Sequence, residues 1–199
     1  MKKSKAVIGV LCGILAVALV VASVMVQIYG GRRQEAKANK KTTTLVVYFS
    51  ATGTTKKAAR KVKKATKGKL YRIKAAQSYT REDLDYYTKD NCRAQKEQND
   101  DNARPEITGS IKNMSEYETI YIGYPIWWGK EPKIIRTFLE SYDLKGKKII
   151  PFCTSGGSGI SGSMSEIRES AKGANVIEGK DLTEASLKSV KKWTKSIGK

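Results

Sequence analysis

The chain has 199 residues, with 38 Lys+Arg against 19 Asp+Glu, a formal net charge of +19 and no histidine. The missing histidine excludes Ser/His/Asp and Cys/His catalysis, the usual His zinc sites and His-based pH switching. Three cysteines at 12, 92 and 153, none in a C-x-x-C pair, argue against a zinc ribbon, a dithiol centre or a disulfide scaffold.

The chain opens with an apolar run. Residues 6–28 carry no charge; at about 1.5 Å rise per residue they span roughly 35 Å, enough for a hydrocarbon core of about 30 Å. A cleaved signal peptide has a shorter run followed by a small-x-small site. Here Ala16-Val17-Ala18 lies inside the run. Residues 1–29 therefore read as an uncleaved membrane anchor or signal-anchor, a single transmembrane helix. Lys2, Lys3 and Lys5 before the run favour a domain on the extracytoplasmic side, against the opposite pull of Arg32, Arg33, Lys37, Lys40 and Lys41. Residues 30–41 read as a basic tether.

Residues 42–199 form the domain, on which about +12 of the charge falls. Its lysines are scattered over presumed helix faces, and its main aromatics sit in a loop flanked only by Lys130. That pattern argues against nucleic acid and fits a solvated surface facing an anionic lipid or wall layer. Strand-like and helix-like segments alternate. TTLVVYF (43–49) reads as a buried strand. Residues 54–66 place Ala58, Ala59, Val62 and Ala65 on one helical face. KLYRIK (69–74) is a weaker strand, and the polar stretch 76–113 is partly helical around 81–96. ETIYIGY (118–124) is a strand, and residues 131–142 put Ile134, Ile135, Phe138, Leu139 and Tyr142 at helical spacing. KKIIPFC (147–153) is a strand, 160–172 a helix and NVIEG (175–179) a short strand. A last amphipathic helix carries Leu187, Val190, Trp193 and Ile197. Such alternation predicts an open, mostly parallel α/β sheet with helices on both faces. Ligands of such sheets bind at the carboxyl ends of the strands, which directs attention to the loops after 49, 123 and 153.

The first loop, Ser50-Ala51-Thr52-Gly53-Thr54-Thr55, follows a strand and opens a helix. Its hydroxyls and N–H groups can surround a phosphate, although it lacks the spacing of a nucleotide P-loop. An ordinary helix cap is the alternative. The second, Tyr124-Pro125-Ile126-Trp127-Trp128-Gly129, carries adjacent tryptophans that cannot both enter one core, which suits a planar aromatic ligand. The third, Thr154-Ser155-Gly156-Gly157-Ser158-Gly159, lets a backbone approach a flat ring closely. Gly157, Gly159 and Gly162 also match G-x-G-x-x-G, with Glu178 downstream. That match follows the fourth strand, whereas a dinucleotide fingerprint opens the first βα unit.

TLVVYFSATGTT, IYIGYPIWWG and IIPFCTSGGSG, in that order and spacing, resemble the flavodoxin family, specifically its short bacterial members, over about residues 43–198. The resemblance implies a flavodoxin-like fold with a five-stranded parallel sheet in order 2-1-3-4-5, helices on both faces and FMN at the switch point, the placement for which flavodoxin is itself the standard example. It implies phosphate binding by Ser50, Thr52, Gly53, Thr54 and Thr55. It implies contact with the isoalloxazine by Pro125, Ile126, Trp127, Trp128 and Gly129 and by Thr154, Ser155, Gly156, Gly157, Ser158 and Gly159. The segment 79–107 also looks like the one before the third strand in these relatives. Which tryptophan stacks on the ring is open. The function implied is a membrane-anchored FMN protein carrying electrons between redox partner proteins. The alternative is an FMN-dependent NAD(P)H:quinone or ferric reductase. No catalytic side chain and no metal is required.

Outside the loops, Cys12 lies in the anchor, Cys153 reads as a buried core thiol, and Cys92 is the more reactive candidate. Glu82, Asp83 and Asp85 suit a helix N-terminus better than catalysis.

Overall fold

The computed structural model describes residues 21–25, 27, 43–87 and 92–197. The chain divides into two compact units, Met1–Lys41 and Thr42–Lys199. In the first, residues 21–25 and 27 are helical. The rest of the run expected to be a membrane anchor, and the tether 30–41, lie outside the described residues. Among the described residues no helix is long and apolar enough to cross a membrane.

The second unit begins with β1 (Thr44–Tyr48), α1 (Thr54–Thr66), β2 (Lys69–Arg72) and β3 (Lys74–Ala75). It continues through α2 (Arg93–Asn99), β4 (Ile107–Thr108), β5 (Thr119–Pro125), α3 (Ile134–Glu140) and β6 (Lys148–Thr154). It ends with α4 (Met164–Ser170), β7 (Asn175–Val176), β8 (Lys180–Asp181) and α5 (Leu187–Ile197). The main sheet runs β2-β1-β5-β6-β7, with β8 also on β6, and every pairing in it is parallel. Counting only main-sheet positions, this is the expected order 2-1-3-4-5. The antiparallel pair β3-β4 stands apart and closes the base of the excursion between them.

Each central strand buries both of its faces, so the sequence reads as continuous apolar runs rather than as alternation. Leu45 and Val47, Ile120, Ile122 and Tyr124, and Ile149 and Cys153 face α3 and α4 through Ile134, Ile135, Phe138, Leu139, Ile167 and Ala171. Val46, Tyr48, Tyr121, Ile150 and Phe152 face α1 and α5 through Ala58, Ala59, Val62, Val190 and Trp193. A sheet walled on both sides leaves only its ends open, and the carboxyl end gathers the loops after β1, β5 and β6.

Two expectations change in detail. Of the strand expected over 175–179 only Asn175–Val176 is strand, and a second short piece, Lys180–Asp181, follows after the gap. They pair with Lys148–Ile149 and with Phe152–Cys153, so the break lies opposite Pro151. Proline has no N–H to give the ladder. The helix expected around 81–96 is a single 3-10 turn, Glu82–Leu84, and then α2. Thr80 and Asp83 cap that turn on each other: the Thr80 N–H donates to Asp83 Oδ2 (2.9 Å) and the Asp83 N–H to Thr80 Oγ1 (3.1 Å). Asp85 accepts from the Tyr87 N–H (3.0 Å). Asp83 and Asp85 are therefore local caps.

Candidate functional site

Parallel register brings the three strand ends level: Tyr48 pairs with Gly123, and Pro125 with Thr154. The loops beyond them are then tied together. Thr55 Oγ1 and Thr154 Oγ1 share a buried hydrogen bond of 2.8 Å. The Ile126 N–H donates to the Thr154 carbonyl at 2.9 Å. Phe49, next to loop one, meets Trp127 edge-on with 5.6 Å between ring centroids. All three loops meet at one edge of the sheet.

The first loop presents donors to an anion. Gly53 is the N-cap of α1 at φ 97, the helix has no side-chain cap, and its first turn holds no acidic residue. The cap alternative is thus not what this chain builds: the Ser50 hydroxyl instead accepts the Gly53 N–H at 3.1 Å. The N–H groups of Thr54, Thr55 and Lys56 are those that a helix leaves without internal partners, and they sit at its positive end.

The second loop separates the tryptophans. The Trp127 N–H and carbonyl pair with the carbonyl and N–H of Lys130 at 2.9 and 3.0 Å. Trp128 and Gly129 fill the turn between, at φ 47 and 81, the positive pair of a type I′ turn. An aromatic residue at positive φ is uncommon and costs energy. Trp127 packs inward, edge-on to Phe49 and Tyr79. Trp128 stands at the tip and stacks on Tyr86, with 4.8 Å between centroids and 22° between planes. The structure thus distinguishes two residues that the sequence left equivalent.

The third loop is organised by Ser155. Its Oγ accepts the N–H groups of Gly157 and Gly159, each at 3.0 Å, and its own N–H donates to Thr183 Oγ1 at 2.8 Å. Among the described residues, the N–H groups of Gly156 and Ser158 have no such partner. Gly162 belongs to the same assembly. A Cβ there would stand under 3.0 Å from the Gly129 carbonyl oxygen, so this glycine lets loops two and three touch. Glu178 pairs with Arg168 at 3.2 Å. The partial G-x-G-x-x-G match therefore serves packing and an ion pair.

Several supporting residues gave no signal in the sequence. Gln98 on α2 donates to the carbonyls of Trp127 (3.0 Å) and Glu131 (3.1 Å) and accepts the Lys133 N–H (3.2 Å), bracing loop two. Tyr79 donates to Glu97, and Arg93 lies 4.2 Å above its ring; burial and Glu97 raise its hydroxyl pKa. Beyond loop two, Arg136 contacts Glu131 at 3.0 Å and Glu166 at 3.6 Å, and Lys130 contacts Glu166 at 2.5 Å. Burial pushes the Glu131 carboxyl up to about 7 despite Arg136, and its Oε2 is buried without a partner. Burial opposes charge on Glu166 as well, but hydrogen bonds from Lys130 and Ser165 hold it at about 2. A cleft of about 520 Å³ lies beside loop one, between Ala51 and Thr52 and the segment Tyr79, Thr80, Arg81, Leu84, Asp85, Tyr86 and Tyr87. Cys153 is buried, its thiol pushed up to about 12 by burial, and neither it nor Cys92 forms a disulfide.

A profile described as flavodoxin matches residues 43–197. The chain belongs to the flavodoxin family. It is similar to a candidate flavoprotein from Bacteroides eggerthii, at 44% identity and TM-score 0.74 over 78% of this chain and 98% of that one. A candidate flavoprotein from Bacteroides uniformis is 47% identical, with TM-score 0.73 over 76% and 97%. A flavoprotein from Lactobacillus acidophilus, solved in complex with FMN, is 26% identical, with TM-score 0.58 over 76% and 97%. No curated protein matches. The flavodoxin match covers the α/β unit and leaves out residues 1–42.

Proposed function

We propose that this flavodoxin-family protein binds FMN at the three-loop edge and carries electrons between redox partner proteins. The observation that carries the reading is the meeting of an uncapped, acid-free helix start with an outward tryptophan at one sheet edge. The residues present fit the cofactor. Thr52, Thr54 and the N–H groups of Thr54, Thr55 and Lys56 suit a phosphate dianion. Trp128 offers a ring face, and the N–H groups of Gly156 and Ser158 offer donors for a polar ring edge. Pro125, Ile126 and Gly129 shape one wall, while Ser50, Gly53, Ser155, Gly157 and Gly159 hold the loops in form. Trp127 and Thr154 act from behind, through Phe49 and Thr55.

Bound FMN supplies the electron chemistry; the chain binds, orients and shields it. Trp128, now stacked on Tyr86, would hold the ring if Tyr86 gave up that face. The cleft beside loop one, about 520 Å³, is in the range that holds one small cofactor. A carrier needs no further pocket, whereas the reductase alternative needs room for a second substrate beside the ring. Anchoring through residues 6–28, at the cell membrane with the domain outside, belongs to the same proposal and is supported by the length and charge pattern of that run alone.

The test is an absorption and fluorescence spectrum of the purified protein with FMN. Shifted flavin bands and quenched emission support binding; the spectrum of free flavin contradicts it. Steady oxidation of NADH or NADPH by the loaded protein alone, with quinone or ferric chelate as acceptor, replaces the carrier reading by the reductase.

A further inference from the structure

The positive charge of the domain is sorted by layer. α1 carries six basic residues and α5 four, and neither helix contains an Asp or Glu. On α2, α3 and α4 together, four basic residues face four acidic ones. The two basic helices pack side by side on one face of the sheet, with Ala58, Ala59, Val62, Val190 and Trp193 turned inward in one cluster. Lys61 Nζ also donates to the Ala185 carbonyl just before α5, at 2.9 Å. Their polar sides therefore form one continuous outer face. Among the described residues, none of these ten cations is in an ion pair.

Stability does not explain this face. Lys56 and Arg60, Lys57 and Lys61, and Arg60 and Lys64 stand four residues apart, the spacing at which like charges destabilise a helix. An interleaved Glu would relieve the repulsion and keep the helix soluble. The chain retains a uniformly positive surface instead, and such a surface attracts an anionic partner.

We infer that the α1/α5 face docks on an anionic phospholipid bilayer. Nine of the ten cations are lysines, point charges suited to diffuse attraction by headgroups. The only aromatic on the two helices, Trp193, is buried. Surfaces that bind single-stranded nucleic acid add exposed aromatics on which bases stack, and among the described residues this face has none. The chain also enters the domain at this face. Thr44, which starts β1, lines a small cleft with Ala65 and Thr66 at the end of α1 and with Thr194, Lys195 and Ile197 at the end of α5. The preceding tether adds five more basic residues between the apolar run and the domain. Docked this way, the loop edge at the start of α1 lies at the rim of the contact and stays open to partner proteins. The inference does not depend on flavin binding.

The test is co-sedimentation of residues 42–199, which stand as one compact unit and match relatives whose solved chains consist of this domain alone. The vesicles hold roughly two parts phosphatidylcholine to one part phosphatidylglycerol, with pure phosphatidylcholine as the comparison. Each lysine near such a surface contributes roughly a factor of five, so Lys57→Gln, Lys64→Gln, Lys188→Gln and Lys192→Gln together should lower partitioning several hundredfold. Lys96→Gln, Lys112→Gln, Lys145→Gln and Lys172→Gln remove the same charge from exposed positions elsewhere and should cost less than about tenfold. Circular dichroism confirms that both sets fold. Equal losses in the two sets, no sedimentation of the wild type at low salt, or displacement from vesicles by a short nucleic-acid duplex at matched charge would each overturn the inference.

Discussion

Replacing Gly162 by alanine puts a Cβ under 3.0 Å from the carbonyl oxygen of Gly129. Carbon–oxygen contacts settle at about 3.3–3.6 Å, so one backbone must give way by at least about half an ångström. Neither partner can rotate aside: the oxygen belongs to the turn that carries Trp128, and Gly162 lies in the 3-10 turn Ser161–Ser163. Overpacking of this kind costs about 1–3 kcal/mol, which lowers Tm by about 3–10 °C in a domain of this size. The displacement also falls on loop two, so FMN affinity should drop about tenfold or more. Thermal denaturation without flavin and a fluorescence titration with FMN measure the two effects. Gly156→Ala is the control for stability alone, since a Cβ there meets no protein atom within 4 Å. Should Gly162→Ala match the wild type in both assays, or Gly156→Ala lower Tm as much, the packing of loop two on loop three is not what holds this edge.

Other outcomes follow from the same geometry. Trp128→Ala should weaken FMN binding about 10- to 100-fold with little change in Tm, while Trp127→Ala, which removes the ring packed on Phe49 and Tyr79, should cost about 3 kcal/mol of stability. Isothermal titration and urea unfolding separate these effects, and a reversal of the two would refute the assignment of the tryptophans. Gly53→Ala forces a side chain to φ 97 at about 1–2 kcal/mol; the strain is present without flavin and nothing crowds that Cβ, so urea unfolding of the flavin-free protein should show a loss of that size. Glu131 binds its proton more tightly folded, at about 7, than unfolded, near 4.5. The folded state therefore holds the extra proton between those values, and stability should fall as pH rises from 4.5 to 7, by at most about 3 kcal/mol. Urea unfolding of wild type and Glu131→Gln at pH 5.5 and 8 should show this slope in the wild type and lose it in the variant. Glu166 works the other way: its carboxyl, held at about 2, contributes above the unfolded value and loses that contribution as pH falls toward 2.

Most of the sheet was legible because buried parallel strands announce themselves as apolar runs, and TTLVVYF, ETIYIGY and KKIIPFC do so without competition. The strand around 175–179 differs in extent from its sequence pattern because its break depends on Pro151 in a neighbouring strand, which no local pattern reveals. The loops were legible as glycine, hydroxyl and tryptophan clusters. The choice between Trp127 and Trp128 was not, since it rests on a turn with two positive φ angles and on Tyr79 and Phe49 waiting inside. Gln98, Tyr86 and Thr183 reach the edge from distant segments by tertiary contact alone. The lysines looked scattered in the sequence because α1 and α5 are separated by 120 residues; packing the two helices together makes them one face.

The central claim is that the three loops clasp a flavin by its phosphate and its ring together. The direct measurement is parallel fluorescence titration of residues 42–199 with FMN and with riboflavin, which has the same ring and no phosphate. Charged hydrogen bonds at the start of α1 contribute about 1.5–3 kcal/mol each, so FMN should bind at least about 100-fold more tightly, with its emission quenched by Trp128. Equal affinities, or no quenching with either compound, would contradict the account.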